Sequence, residues 1–320
     1  MDITSTSRGT KLKGTRARSR RKVHKIWYGI VMALFVAFGY HFLEETDLVN
    51  DTQQGSIQQQ QLQEQQLKGQ QLQVNFLDVG QGASQLIITP SGKTMLIDGG
   101  NNDQQEKMVQ YLQHYGVKRL DIVIATHPDA DHIGGLIAAI KYADVGKIYM
   151  PKVQNNTKTF ENLLRVIKNK GLKITTAKAG LSLELEDKID INMIAPILNG
   201  LDNNNMSAVI RIQYGQTSFL LTGDAGNESE QAMLSSQVNL ASDVLLVGHH
   251  GSKSSTTSSF LNEVKPKYAV IQVGENKYGH PTPTVLKRLQ ESGVHVYRND
   301  TQGTIEFRSD GLNYSIKTER

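Results

Sequence analysis

The sequence predicts an α/β sandwich, in which helices lie outside two β-sheets, preceded by a single transmembrane helix. Three observations predict this arrangement. Short apolar runs separated by Gly, Asn and Asp begin at Val74. The early runs follow one another as hairpins, and the later ones alternate with helical stretches. An uncharged apolar segment lies ahead of them, between a basic tail and two glutamates.

The composition is that of a globular protein. Of the 320 residues, 38% are hydrophobic and 21% are charged, which excludes collagen-like, disulfide-scaffold and wholly disordered proteins. The chain has no Cys, so thiolate nucleophiles, Cys-ligated zinc and iron–sulfur clusters are excluded as well. Any metal must therefore be held by His and carboxylate side chains.

Residues 1–25 form a basic tail. They contain nine Lys or Arg residues and one acid, Asp2. The whole chain has 35 Lys and Arg against 31 Asp and Glu, so the residues after 25 have 26 against 30, a balance of −4. The positive charge therefore belongs to the tail, and the rest of the chain has no general excess of positive charge to offer a nucleic acid.

Residues 26–43 are predicted to be a transmembrane anchor. Eighteen residues of helix rise about 27 Å, close to the thickness of the hydrocarbon core. Trp27, Tyr28 and Tyr40 lie near the two ends, where interfacial aromatic residues are common. Because the basic flank comes first, the positive-inside rule predicts a single-pass protein of the cell membrane, with a cytoplasmic tail and the rest of the chain outside.

Two alternatives to an anchor are weaker. A cleaved signal peptide would need a small-x-small site after the apolar run, and none is evident. A buried helix of a soluble domain would not explain the clustered basic flank. Residues 44–73 follow as a linker of low complexity, in which twelve of the twenty-one positions from Gln53 to Gln73 are Gln.

Residues 74–320 are predicted to form the α/β domain. Its predicted strands, bounded by turn residues, are Gln73–Leu77, Gln85–Thr89, Thr94–Ile97, Ile122–Thr126, Lys147–Met150, Ile189–Ile194, Ser207–Tyr214, Thr217–Thr222, Val244–Val247, Tyr268–Gln272, His295–Tyr297 and Gly303–Arg308. Its predicted helices are Lys107–His114, Thr159–Lys168 and Thr284–Glu291, the last with Pro283 placed for a first turn.

The strongest chemical signal is the segment from His127 to His132. Four potential metal ligands, His127, Asp129, Asp131 and His132, fall within six residues directly after an apolar strand. Burying two His and two Asp so close together without a cation would be very costly. Alternating residues of a strand-to-helix turn can face one cleft, so His127 and Asp129 are predicted to hold one metal ion, and Asp131 and His132 a second.

This segment resembles the metal-binding signature of the metallo-β-lactamase fold, an αββα sandwich. The other motifs occur in matching order and resemble the carboxy-terminal domain of the competence proteins of the ComEC/Rec2 group. They are FLDVGQG at 76–82, LIDGG at 96–100, LLTGD at 220–224, LVGHHGS at 246–252 and YGHP at 278–281. The likeness covers about Val74 to Phe307.

The chain departs from the wider superfamily in two places. Asp129 replaces a His, and the stretch Asn203–Ser207 stands where a further His is usual. Both departures resemble the competence-protein branch. They make the site richer in oxygen, so manganese becomes a plausible ion beside zinc. Ala83 stands where that branch often has Asp, and the many-helix channel of full-length ComEC proteins has no counterpart in this sequence.

The resemblance implies a role for each site residue. Two divalent metal ions would be held by His127, Asp129, Asp131, His132, Asp224 and His250, with Asp224 bridging them. Asp131, His249 and His280 would take part in the reaction. Asp78, Asp98, Asn204, Ser207, Ser252 and Lys253 would orient ligands or contact substrate.

Some of these residues have alternative roles. His250 is favoured over His249 as the ligand, and the other ring would then face substrate. His280 could contact a phosphoryl oxygen, act as a general acid or make a structural hydrogen bond. Asp98 could cap a turn rather than orient a ligand. Lys253 and Ser252 could bind an anion or form a solvated loop.

The expected reaction is hydrolysis. Two bridged cations lower the pKa of a shared water and so supply a metal-activated hydroxide near neutral pH. The resemblance implies a phosphodiesterase or nuclease acting on DNA, although the balance of −4 argues against a polyanionic substrate. The alternatives are a hydrolase of a small or cell-wall phosphoester, like the phosphorylcholine esterases of this fold, and a surface binding module without turnover. No protein partner follows from the sequence.

Overall fold

A computed structural model describes residues 71–320, together with Met32 and Leu34. The chain divides into two units, Met1–Gln65 and Gln66–Arg320, and both sheets belong to the second. The predicted tail and most of the predicted linker lie outside the described residues. So does the predicted anchor, except that Met32 and Leu34 are helical and exposed. Among the described residues, no helix combines the length and the apolar character that a membrane span requires.

The strands of the described region are short and belong to two sheets. In chain order they are β1 (Leu72–Phe76), β2 (Gln85–Ile88), β3 (Thr94–Ile97), β4 (Arg119–Ile124), β5 (Asp144–Met150), β6 (Ile174–Thr176), β7 (Leu181–Ser182), β8 (Ile189–Ala195), β9 (Val209–Tyr214), β10 (Thr217–Leu221), β11 (Val244–Leu246), β12 (Tyr268–Ile271), β13 (His295–Arg298), β14 (Ile305–Ser309) and β15 (Tyr314–Thr318).

Each sheet has an antiparallel part and a parallel part. Within residues 71–320, the first sheet runs β15-β14-β1-β2-β3-β4-β5-β6 and the second runs β13-β12-β11-β10-β9-β8-β7. Strands β3 to β6 are parallel to one another, and so are β10 to β13. The parallel connections cross over through helices, as such connections must, and loops gather at the carboxyl ends of the strands.

Eight α-helices lie in residues 71–320, and six of them cover the outer faces of the two sheets. The eight are α1 (Gln105–His114), α2 (Ala130–Ile133), α3 (Leu136–Tyr142), α4 (Lys158–Asn169), α5 (Asn227–Ser235), α6 (Ser258–Val264), α7 (Pro283–Glu291) and α8 (Asn299–Gln302). Helices α1, α3 and α4 pack on the first sheet, and α5, α6 and α7 on the second. Helices α4 and α6 begin alike, because Thr157 and Thr257 each accept a hydrogen bond from the backbone N–H three residues later.

The main core lies between the sheets. Phe76, Phe219 and Phe307 are fully buried there, and their rings meet edge to face with centroids 5.9 and 6.1 Å apart. Every residue of β10 is buried, because the other sheet covers one face and helices cover the other. The predicted αββα sandwich is therefore confirmed.

All twelve predicted strands overlap observed strands, and the three predicted helices overlap α1, α4 and α7. Several predicted strand ends are wrong: β4 spans Arg119–Ile124 rather than Ile122–Thr126, and β9 starts at Val209 rather than Ser207. Strand β5 starts at Asp144 rather than Lys147, and β14 starts at Ile305 rather than Gly303. Thr126 and Ser207 lie outside the hydrogen-bonded strands, because the Thr126 hydroxyl bonds to Asp98 and the Ser207 hydroxyl bonds to the Asp224 backbone. Strands β6, β7 and β15 are half or fully exposed and carried too little apolar pattern to be predicted.

Candidate metal centre

The candidate site lies where the carboxyl ends of parallel strands from both sheets meet. The segment from His127 to His132 follows β4, Asp224 follows β10, and the His249–His250 pair follows β11. Strands β3 and β12 end at the same place and contribute Asp98 and Gln272. The chain therefore brings side chains that are far apart in sequence into one cluster, in the crevice where α/β folds usually place their ligands.

Asp224 is the centre of the cluster. Its Oδ1 atom lies 3.2 Å from His132 Nε2, and its Oδ2 atom lies 3.6 Å from His250 Nε2 and 3.8 Å from His127 Nε2. His249 approaches from the more open side, with Nε2 also 3.8 Å from Oδ2. Asp224 is 4% exposed, so this carboxylate faces four imidazole rings almost without solvent.

Two groups of side chains are spaced to hold a cation. One comprises His127, His132 and Asp224, and the other comprises Asp131, His132 and His250. His132 belongs to both groups, and the His250 Nε2 atom lies 3.3 Å from Asp131 Oδ2 and 3.4 Å from His132 Nε2. Adjacent groups with a shared ligand are the pattern expected of two neighbouring metal ions.

The hydrogen bonds of the three buried histidines suit a cation site. Gln272 O accepts the Nδ1–H of His250 at 2.7 Å, and Asp98 Oδ2 accepts that of His132 at the same distance. The Nδ1 atom of His127 lies 3.0 Å from Thr126 Oγ1. The Nδ1 atom of each ring thus has a hydrogen-bond partner, and the Nε2 atom faces the cluster.

One atom in the cluster has no partner. The Nε2 atom of His127 is buried and makes no hydrogen bond, although buried ring nitrogens nearly always do. It faces two carboxylates, since Asp224 Oδ2 lies 3.8 Å away and Asp129 Oδ2 lies 3.9 Å away. An imidazole lone pair beside two carboxylates is a donor set that zinc or manganese accepts, so the residues fit a metal ion.

Asp98 organises the turn that carries the motif. Its Oδ1 atom accepts the backbone N–H of Thr126 at 2.8 Å, and its Oδ2 atom accepts the Thr126 hydroxyl at 2.6 Å. With its hydrogen donated to Asp98, the Thr126 oxygen is left to accept Nδ1–H from His127. Asp98 is fully buried and has a φ of 56°, which few residues other than Gly adopt.

Two further local features hold the site. His249 and His250 have φ values of 49° and 54°, so the turn after β11 is strained where it presents both rings to Asp224. Gly82 lies against the metal motif, because a Cβ atom there would come within 2.4 Å of the Asp131 carbonyl oxygen. The loop that contains Gly82 therefore supports the backbone of a ligand.

The charges of the cluster are coupled. Burial lowers the pKa of His127 to about 4, and the adjacent His132 adds to that effect. Burial also opposes charge on His132, yet Asp224 and Asp98 hold its pKa well above the usual range. Burial raises the pKa of Asp131, but the hydrogen bond from His250 and the charge of His132 outweigh it and bring the value to about 2. The carboxylates thus attract positive charge into the site.

Asp129 lies at the margin of the cluster. Its side chain is 39% exposed, and neither cation-binding group includes it. Its Oδ1 atom accepts a hydrogen bond from Asn203 Nδ2 at 2.9 Å, while burial raises its pKa. A role for Asp129 as a metal ligand remains a prediction.

The structure brings most of the other predicted residues to the cluster. Ser207 Oγ lies 3.4 Å from His127 Nδ1 and accepts the backbone N–H of Asp224 at 3.1 Å. Asn204 Nδ2 lies 3.5 Å from the His249 ring nitrogens, and the His280 ring lies 5.5 Å from the His249 ring. Burial, followed by the charge of His249, lowers the pKa of His280.

Three predicted residues stand apart from the metal ligands. The Asp78 carboxylate accepts Gly80 N–H and pairs with Arg320 Nη2 at 3.1 Å, so the structure gives no support for Asp78 at the centre. Ser252 is buried behind the His249 turn and bonds to Ser254 Oγ. Lys253 is exposed.

Sequence reasoning missed three residues that position ligands. Thr126 and Asn203 lie inside motifs that were singled out, but hydroxyl and amide groups have no distinctive ligand spacing. Gln272 acts through its backbone carbonyl oxygen, which no side-chain pattern can signal. Its side chain also bonds to Leu77 O and Ser84 O, both at 2.9 Å, and so joins the ends of β12 and β1.

Comparison with known proteins places these motifs in a family. The family profile described as the metallo-beta-lactamase superfamily matches residues 77–275. ComE operon protein 3 of Bacillus subtilis is 33% identical over 255 residues, which are 74% of this chain and 33% of that protein. Competence protein ComA of Neisseria gonorrhoeae is 32% identical over 237 residues, 73% of this chain and 32% of that one. The chain spans about a third of the length of these curated relatives.

Solved structures show a related fold. The metallo-beta-lactamase fold protein YhfI of Bacillus subtilis superposes with a TM-score of 0.50 at 14% identity. The superposition covers 75% of this chain and all of YhfI. At that identity, the likeness concerns the fold alone.

Proposed function

The chain belongs to the metallo-beta-lactamase superfamily, and from that premise we propose that it is a metal-dependent phosphodiesterase that cleaves DNA. The observation that carries the proposal is the pair of adjacent ligand groups, which share His132 and surround Asp224. Two divalent ions, zinc or manganese, would be held by His127, His132, Asp224, Asp131 and His250, with Asp129 at the margin. When bound, such ions supply Lewis-acid activation of water and of the phosphate.

The protein's own residues prepare this site. Asp98, Thr126 and the Gln272 carbonyl oxygen bind Nδ1 of the three buried histidines, so that each Nε2 is directed at the centre. A bound metal ion would take the place of the Nε2 proton that the carboxylates favour on His132. Preorganisation of this kind fixes ligand direction before substrate arrives. His249, whose side chain is 25% exposed, and His280 border the open side, where we assign them contact with the phosphate oxygens.

The choice of DNA as substrate is supported by the relatives. Competence protein ComA is named for competence, and it matches 73% of this chain. We further propose that residues 26–43 anchor the chain in the cell membrane, with the catalytic domain outside. The DNA substrate and the membrane anchor are both proposals, because membership of the superfamily establishes neither.

A small phosphoester is the second candidate, and the charge of the domain favours it. Residues 74–320 contain 25 Lys and Arg and 25 Asp and Glu, so the domain has no net positive charge. A protein that binds long DNA usually neutralises many phosphates with Lys and Arg. A short substrate, including a cell-wall phosphoester, would need fewer such contacts.

The test uses the full-length chain, purified in detergent and loaded with manganese or zinc. Cleavage is measured on bis-p-nitrophenyl phosphate and on single-stranded and double-stranded DNA, with Asp131→Asn as the inactive control. We expect metal-dependent cleavage of DNA that the substitution reduces by at least about 100-fold, the scale on which removal of an electrostatic contact slows catalysis. Cleavage of small phosphoesters without DNA would favour the second candidate. A metal-loaded chain that cleaves no phosphoester would contradict both.

A further inference from the structure

We propose that Tyr278 is a stacking platform for a nucleobase of the substrate, next to the metal centre. This inference rests on the proposed phosphodiesterase function and specifies its substrate: a nucleotide-containing strand with unpaired bases. It concerns a residue whose motif the metal site did not use, since only His280 of that motif was given a role.

Tyr278 is unusually open to solvent. Its exposed fraction is 74%, the highest among the exposed large hydrophobic residues of the described part of the chain. Tyrosine normally buries most of its ring, and a large aromatic ring displayed in this way is typical of a binding surface. The ring face turned away from the protein is free to receive another planar group.

The exposed position is built into the loop. The Asn276 side chain donates to Gly274 O at 2.9 Å and to His280 O at 2.8 Å. Its Oδ1 atom accepts the backbone N–H groups of Tyr278 at 3.1 Å and His280 at 3.0 Å. Four hydrogen bonds from one side chain therefore fix the turn that holds Tyr278 outwards, so little ordering is needed when a ligand binds.

A row of aromatic rings leads from Tyr278 to the metal centre. The Tyr278 ring lies 5.8 Å from the His280 ring at an interplanar angle of 30°. His280 is 5.5 Å from His249, whose Nε2 atom lies 3.8 Å from Asp224 Oδ2. Tyr278 therefore lies two ring-to-ring steps from His249, and a base stacked on Tyr278 would lie one step further out, where we place a nucleotide that flanks the scissile phosphate.

The chemistry of the loop favours a base over a phosphate. Glu275 and Lys277 are both exposed and carry opposite charges, so the loop has no excess of positive charge to attract a phosphate. Stacking on an aromatic ring needs no charge and tolerates any base, because every base has a π-face. Bases are available for stacking only in single strands, which predicts a preference for single-stranded over double-stranded DNA.

The test compares the full-length wild-type chain, Tyr278→Ala and Tyr278→Phe, with Leu312→Ala as a control at another exposed apolar residue. The two substrates are a short single-stranded oligonucleotide and an oligomer of equal length in which every sugar lacks its base. KM is measured with manganese, and Kd for the labelled strands is measured by fluorescence anisotropy with the metal chelated. Metal content is measured for every variant.

We expect Tyr278→Ala to raise both constants about 5- to 100-fold on the oligonucleotide, the range that one lost base–aromatic stack represents. We expect no change on the baseless oligomer, and near wild-type values for Tyr278→Phe and Leu312→Ala. Equal constants for Tyr278→Ala and wild type on the oligonucleotide would overturn the inference. Equal losses on both substrates would do the same, because they would indicate damage to the centre.

Failure of the proposed function would give a different result. A wild-type chain that cleaves neither strand would overturn the proposed phosphodiesterase activity. The Kd measured with the metal chelated would still show whether Tyr278 binds a base, because that measurement needs no turnover.

Discussion

Asp98 controls two histidines of the metal motif through two different contacts. It bonds directly to His132 Nδ1, and it reaches His127 through the Thr126 hydroxyl, with Oδ2 distances of 2.7 and 2.6 Å to His132 and Thr126. Its fully buried carboxylate and left-handed backbone leave it little freedom to move. The direction of both ligand rings therefore depends on a residue that does not itself face the cation.

We expect Thr126→Val to weaken metal binding about 10- to 100-fold, the usual cost of losing a contact behind a ligand. Valine keeps the shape of threonine but leaves His127 Nδ1 and Asp98 with one hydrogen bond fewer. Thr126→Ser, which keeps the hydroxyl, should bind metal nearly as the wild type does. Competition with a chromophoric chelator measures both affinities, and equal affinities for Val and Ser variants would contradict this role.

Asp131 and Asp129 should respond differently to the same substitution. Asp131 Oδ2 lies 3.3 Å from His250 Nε2 inside a cation-binding group, whereas Asp129 is 39% exposed and outside both groups. We expect Asp131→Asn to bind one equivalent less of metal, and Asp129→Asn to keep two with reduced affinity. Elemental analysis after dialysis checks the stoichiometry. Loss of an ion from Asp129→Asn alone would show that Asp129 is the stronger ligand.

At the scale of elements, the two sheets are joined by a polar cluster far from the metal centre. Asp243, just before β11, accepts hydrogen bonds from Ser218 of β10 and from Tyr314 of β15, at 3.1 and 3.0 Å. Lys267 Nζ lies 2.9 Å from its other oxygen. Strand β15 is an edge strand of the first sheet, so this contact ties that edge to the second sheet.

The Asp243 contacts predict a pH-dependent stability. Burial raises the pKa of Asp243, but bonds from Lys267, Tyr314 and Ser218 lower it overall below its usual 3.8. Its contribution is therefore present above pH 3.8 and is lost as the pH falls through the lower pKa of the folded state. We expect Asp243→Asn to lower the free energy of unfolding by about 1–3 kcal/mol at pH 7, and by less in acid.

Guanidinium-induced unfolding at several pH values measures this difference. Lys287→Met is the matched control, since Lys287 forms an exposed pair with Glu291 at 3.7 Å whose loss should cost at most about 0.5 kcal/mol. A difference between Asp243→Asn and wild type that stays constant with pH would contradict the assignment.

At the scale of the whole molecule, the proposed anchor and the catalytic domain are separate parts of the chain. We expect the full-length chain to stay in the membrane fraction after alkaline extraction, and a chain that starts at residue 44 to move to the soluble fraction. The metal content of the two should be equal, because every proposed metal ligand lies at or after His127. A full-length chain released by alkali would rule out the span.

The two sheets explain why the candidate site could be predicted only in part. The segment from His127 to His132 is a local pattern of six residues, so its four candidate ligands could be predicted from the sequence alone. Asp224 and His250 were found through resemblance of their flanking motifs. Asp78, from an equally clear motif, faces Arg320 instead, because the pattern of a strand end does not specify which way its last side chain turns.

The sequence by itself determined the strand pattern, the α/β class, the ligand-rich turn after β4 and the family. Each of these depends on residues close together in the chain, or on motifs in order. Only the tertiary structure decided that Asp224 faces four histidines, that His132 belongs to both cation-binding groups, and that Thr126 and the Gln272 carbonyl oxygen orient the rings. Those contacts depend on how the two sheets pack against each other. Packing brings together residues about 100 positions apart in the chain, and no local sequence pattern specifies which of them will meet.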